Sequence, residues 1–306
     1  MGTRDRRTQS VSGDFDGVAT LAQLNQAGVT RTARRQMVRS GQWRAVNGKG
    51  VVLHTGPLHG EQAWRAALLR VGPAARLGGV TALQANGLQG FDEPLTHVWV
   101  PKGREKDLRG LPPQVVVHET RRWVEDDAVT AGAPRSRPAV ATVQAALWSA
   151  SRRRAALCLV MPIQQRLVRP QDVAAELDRV RRHEFRSMLK ALANDVIGGV
   201  HSLNELDVTR ECRARGLPEP TRQARRTLPS GEVILDVWWE EFGVCVEVNG
   251  AGHERLDTAM KDEVRLMDLQ ASGDAAVPLS VLTLRVDPDR FFEALRRLLR
   301  SRGWRG

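Results

Sequence analysis

The sequence predicts a mixed α/β (α+β) protein of more than one domain. Two features carry this expectation. Stretches with apolar residues at helical spacing alternate with short β-branched runs bounded by turn residues. The chain has 306 residues, and domains of roughly 100–200 residues make two of them the natural division.

Residues 1–14 read as a disordered tail. They carry arginines with no apolar stretch behind them, so they do not read as a signal peptide. Residues 17–28 (GVATLAQLNQAG) read as a short helix, with Val18, Leu21 and Leu24 at helical spacing and Gly28 closing it. Thr30 caps a second helix, 31–40, which carries Arg31, Arg34, Arg35 and Arg39. WRAVNGKGVVLHT then forms two strands about an Asn47-Gly48 turn. Helix, tight turn, basic helix and hairpin is the order of a winged helix-turn-helix, expected over 15–57. There the second helix enters a DNA groove and the hairpin, with Lys49, touches the backbone. A basic, solvated helix in a small α+β unit is the other reading.

An α/β extension is expected over 58–125, with helices at 58–71 and 79–88 and strands THVWVP and QVVVHET around a polar loop, 102–113. The Pro-, Gly- and charge-rich stretch 126–138 reads as a linker. Helices follow at 138–150, 151–161 and 170–197, a connector over 139–199 broken at Gly198-Gly199. Its arginines (Arg152, Arg153, Arg154, Arg179, Arg181, Arg182) line a DNA groove or form a solvated face.

The last hundred residues hold the chemistry. Ser202 opens a helix ending at Gly216. Strands 233–239 (VILDVWW) and 244–248 (VCVEV) are joined by Glu240-Glu241-Phe242-Gly243. A four-residue hairpin there sets Asp236 opposite Glu247 on one face of the sheet. Opposed like charges are destabilising and call for a raised pKa or a cation between them. Mg²⁺, or Mn²⁺, suits two carboxylate oxygens. Glu205 is a third candidate acid, although Ser202-x-x-Glu205 also makes a capping box. His253, after Gly250-Ala251-Gly252, can serve as general acid or base. A helix near 257–270 carries Asp262 and Arg265. SVLTLRV reads as a buried strand, and Asp287-Pro288 starts a last helix bearing Phe291, Phe292, Leu295, Leu298 and Leu299.

The run ILDVWWEEFGVCVEVNGAGHE resembles the core of the PD-(D/E)xK restriction-endonuclease-like superfamily, in the branch related to very-short-patch-repair endonucleases. Glu205, Asp236, Glu247, Asn249, Gly250, His253, Asp262 and Arg265 follow that branch's motif in order, over roughly residues 200–300. The first 60 residues resemble, more loosely, the winged helix of AbiEi-type antitoxins. The first resemblance implies a mixed sheet flanked by helices over 200–306 and metal-dependent cleavage of DNA phosphodiester bonds. Asp236, Glu247 and the carbonyl of Val248 would hold Mg²⁺ or Mn²⁺, with Glu205 assisting. Asn249 belongs to the expected catalytic set with His253, and Arg265 is expected at the DNA. Asn249 stands where many members carry a lysine, and an amide supplies no positive charge to a developing phosphorane. In this branch a histidine further on serves instead.

Composition narrows the partners. The net charge of +11, from 46 Lys+Arg against 35 Asp+Glu, points to nucleic acid, with RNA not separated from DNA. No apolar run reaches the length of a membrane span. Three widely spaced cysteines without C-x-x-C argue for a reduced, cytoplasmic setting and against a cysteine-type zinc site. The expected function is a DNA-binding, Mg²⁺-dependent endonuclease. The alternative is a non-catalytic DNA-binding regulator or antitoxin with a degenerate nuclease domain. A homodimer or a toxin–antitoxin partner stays open.

Overall fold

The computed structural model describes residues 15–121, 124–198, 203–229, 231–249 and 256–306. They divide into two compact units, Met1–Ala145 and Ala146–Gly306. The division falls inside a helix near 145, not at the glycine pair 198–199.

The first unit opens with strand β1 (Val18–Thr20), helix α1 (Leu21–Gln26), helix α2 (Arg31–Arg39) and strands β2 (Arg44–Val46) and β3 (Gly50–Val52). The expected helix over 17–28 is corrected at its start. Val18 and Ala19 pair with Val52 and Val51 as the third strand of the sheet β1-β3-β2. The helix begins only at Leu21, where Thr20 and Gln23 form a reciprocal capping box. Asn47 and Gly48 both take positive φ, 43° and 68°, so the hairpin turn is the tight left-handed kind that matches strand twist. Ala19, Leu24, Val29, Trp43, Val51 and Leu53 form the core beneath these elements.

The unit continues with α3 (Gly60–Val71), β4 (Arg76–Leu77), α4 (Gly79–Ala85), β5 (Thr96–Pro101), β6 (Val115–Thr120), a 3-10 turn (Glu125–Asp127), β7 (Ala128–Val129) and β8 (Arg135–Ser136). The sheet order is β6-β5-β4-β8-β7. The pair β5–β6 is parallel, with Thr96 opposite Val115. The expected linker at 126–138 is corrected as well. Its backbone is used by the sheet: Leu77 N–H donates to Pro134 O at 2.8 Å, and Ser136 Oγ donates to Leu77 O at 3.2 Å. Ala133 and Ser136 are fully buried. Gly132 and Pro134 punctuate turns between short strands, and that composition mimics a connector.

The two units divide within α5 (Pro138–Leu147). The second unit goes on with α6 (Arg152–Gln164), α7 (Pro170–Asp178), α8 (Arg186–Gly198) and α9 (Leu203–Ala214). The helix expected over 170–197 is thus two helices. These helices are part of the unit's core and not a connector. Arg285 makes two hydrogen bonds to the buried Asp195 of α8, at 2.8 and 3.1 Å. Of the arginines expected at a groove, Arg179 is taken by Glu176 at 2.7 Å, and Arg152 donates to Arg285 O at 3.2 Å.

A four-stranded sheet follows: β9 (Thr221–Leu228), β10 (Gly231–Trp239) and β11 (Val244–Asn249), then helix α10 (Leu256–Ala271) and β12 (Ala275–Ser280). The order is β12-β11-β10-β9, antiparallel except for the parallel pair β11–β12. Two helices end the unit, the short α11 (Val281–Val286) and the longer α12 (Pro288–Ser301). The expected strand SVLTLRV is therefore a helix. Ser280 caps it, its Oγ accepting from Thr283 N–H at 3.1 Å, and the strand lies one segment earlier, in AAVPLS. Phe292, Leu295 and Leu299 of α12 are buried, as their spacing predicts. No helix among the described residues is long and apolar enough to cross a membrane.

Candidate functional site

The acid pair sits where the central strands meet. Val237 pairs with Val246, Trp238 with Cys245 and Trp239 with Val244. That register, carried one step further, sets Asp236 opposite Glu247. The turn Glu240–Phe242 closes at Gly243, in the left-handed conformation at φ 57°, and so fixes the hairpin length.

Both neighbours of Asp236 are irregular. The β9–β10 ladder skips the Asp236–Gln223 pair, and Gln223 has a φ of 48°. On the other side, Val248 N–H donates to Asp236 Oδ2 at 2.9 Å. The carboxylate thus takes an amide that a regular ladder would give to backbone oxygen. Asp236 remains half-buried, whereas Glu247 is only 4% exposed.

A charge so deeply placed needs a partner, and one is present. Arg265 reaches across from α10, and its Nη2 forms an ion pair with Glu247 Oε2. Arg265 was expected at the DNA; the structure sets its guanidinium on the carboxylate. Spacing along α10 could not reveal this pairing, because it depends on how the helix lies over the sheet. Cys245 shares this environment. Burial, with the Glu247 charge adding, pushes its thiol up to about 11, against opposing pulls from Arg226 and Arg265. A second ion pair, Arg226 with the buried Asp274, went unread in the sequence; Arg226 also lies 5.2 Å over the Trp238 ring.

The chain matches no family model and no curated protein. The site therefore stands on its own residues. His253, and the side chains of Glu205, Asn249 and Asp262, lie outside the described residues. Among the described residues no group of three or more His, Cys, Asp or Glu is gathered for a metal. What the structure does gather is a pair of opposed carboxylates, one buried and already counter-charged. Oxygen donors of this kind fit a hard divalent cation.

The helix α2 presents the other candidate surface. Ala33, Met37 and Val38 pack inward, while Arg31, Arg35 and Arg39 are exposed. Arg34 differs from its neighbours. Its Nη1 donates to Asn25 Oδ1 at 2.5 Å and to Val29 O at 3.1 Å, bracing the turn between α1 and α2. Lys49 also has structural work: its Nζ donates to Arg70 O, at the C-terminal end of α3, at 3.0 Å.

Proposed function

We propose that this protein binds DNA through α2 and the β2–β3 wing and carries a divalent-metal-dependent phosphodiester-cleaving site in its second unit. The observation that supports this most is the opposed pair Asp236 and Glu247 in the middle of a mixed sheet, backed by a helix that supplies Arg265. Asp236 and Glu247 would hold Mg²⁺ or Mn²⁺, which when bound lowers the pKa of a water and neutralises charge on a phosphate. The Val248 amide orients Asp236, leaving its second oxygen for the cation. Arg265 supplies positive charge beside Glu247, the charge that Asn249 does not bring. His253 would move the proton. DNA is the partner this reading requires. The three exposed arginines of α2 serve it by touching phosphate or base edges.

A second reading has a specific observation behind it. The Arg265–Glu247 pair gives the buried carboxylate a counter-charge without any metal, as a purely structural site in a DNA-binding regulator or antitoxin would.

One experiment separates the two: purified protein with supercoiled plasmid, in Mg²⁺, in Mn²⁺ and in EDTA. Nicking that requires metal and disappears in Asp236→Asn supports the nuclease. Retained DNA binding with no nicking in either metal supports the regulator.

A further inference from the structure

We propose that the first unit holds a second nucleic-acid surface, a basic groove at one end of its five-stranded sheet that grips the phosphodiester backbone of a duplex. The groove has a volume of about 1080 Å³, and its walls include Arg76, Lys102, Arg104 and Arg121 against one acid, Glu105. Sheet topology explains why they converge. The parallel strands β5 and β6 end at Pro101 and Thr120, just before Lys102 and Arg121. β4 runs antiparallel to β5 and so begins, with Arg76, at that same end. β8 runs parallel to β4, and β7 antiparallel to β8, so their near ends join the rim too.

Three of the four cations face solvent, while Arg76 is buried and its Nη1 donates to Val124 O at 3.3 Å. Lys102, Arg104 and Arg121 are exposed, and among the described residues none of the three is held in an ion pair. Guanidinium groups suit phosphate oxygens because their fork matches two acceptors at once. The described walls carry no aromatic side chain that could stack a base. Sites that take single strands or nucleotides lean on such stacking. A basic groove without it suits a duplex, whose bases are already stacked.

The groove is also joined to the wing. Arg70 Nη1 donates to Asn47 Oδ1 at 3.1 Å and to Gly110 O at 2.7 Å, and Asp107 N–H donates to Val71 O at 2.9 Å. The loop that carries Lys102 and Arg104 is thereby strapped beside the hairpin turn. A duplex on the wing would run onto this loop. The inference rests on the DNA-binding half of the proposed function and not on the nuclease half.

The test is fluorescence anisotropy of full-length protein in EDTA, over a salt series. The probes are a duplex of several helical turns, its single strand, and ATP and inorganic phosphate as competitors. The variants are Lys102→Ala/Arg104→Ala/Arg121→Ala and, separately, Arg31→Ala/Arg35→Ala/Arg39→Ala. The groove variant should bind duplex about tenfold to a hundredfold more weakly, with a salt slope shallower by about 0.9 for each phosphate no longer neutralised. Its melting curve should match the wild type, since all three residues are exposed. The α2 variant should retain the groove's share of the slope. Unchanged affinity and slope in the groove variant overturn the proposal. So does displacement of duplex by ATP or phosphate with equal potency in wild type and variant, or a wild type that binds no duplex. Failure of plasmid nicking leaves the binding result intact, so loss of the nuclease reading is distinguishable from loss of this one.

Discussion

Glu247 lies in a place that water barely reaches, and the Arg265 guanidinium pairs with its charge. Removing one partner of such a pair leaves the other uncompensated, which costs more than the pair contributes. Arg265→Ala should therefore lower stability by about 3 kcal/mol, toward the low end for buried pairs, because Arg265 is itself 28% exposed. Adding Glu247→Gln should restore part of it. Mg²⁺ or Mn²⁺ should then raise the melting temperature of Arg265→Ala more than that of the wild type, since a ligand bound only by the folded state stabilises it. Denaturant and thermal melts with and without metal check both points; an Arg265→Ala protein as stable as wild type, and indifferent to metal, would show that neither partner is needed. The acid pair itself was legible in the sequence. Asp236 and Glu247 are separated by a short turn of fixed length, and length sets register. Arg265 was visible as a residue but not as a partner, and the same holds for Lys49 and Arg34. Long side chains reach across elements, and no periodicity records where they land.

At the scale of elements, helices with strong stop signals were easiest to read. Thr30 and Gly41 bound α2, and Asp287-Pro288 opens α12. Strands with mixed surfaces were hardest. β9 (TRQARRTL) went unread because arginines occupy its exposed positions, and only Ala224 and Leu228 are buried. β12 was displaced by Pro278, which argues against a strand by itself and is tolerated here in an edge strand. The pair β5–β6 carries a pH dependence. His97 Nδ1 and His118 Nε2 lie 2.9 Å apart, so one ring donates and the other accepts. Burial first, and the neighbouring His97 second, push His118 down to about 4 from an ordinary 6.5. The unfolded chain takes up the proton at the higher value, so acid favours unfolding. Stability from this group should be complete above pH 6.5 and lost progressively as pH falls toward 4. Melting His118→Gln beside wild type over that range isolates the effect; parallel curves would mean that His118 does not titrate as described.

For the molecule as a whole, chain length suggests two units, and the chain divides into two between Ala145 and Ala146. A glycine pair at 198–199 looks like a break, yet α8, before it, sends Asp195 to Arg285, far beyond it. A fragment of residues 146–306 should thus fold cooperatively, with a sharp thermal transition and native-like helical circular dichroism. A fragment of 200–306 should not, because it leaves Arg285 facing the place of a missing carboxylate and exposes the apolar side of α11. If the shorter fragment melts as sharply as the longer one, the helices 152–198 are dispensable after all.

The edges of the second unit's sheet bear on how copies of the chain meet. An open strand edge invites another chain to add itself, and that path ends in aggregates. Here one edge, β9, bears Arg222, Arg225 and Arg226 and is bent out of line at Gln223. The other edge, β12, contains Pro278, which has no N–H to offer a newcomer. Both borders are poor templates for strand addition. The same irregularity that sits beside Asp236 thus also works against fibrillar growth, and straightening it would be expected to trade solubility for a longer sheet.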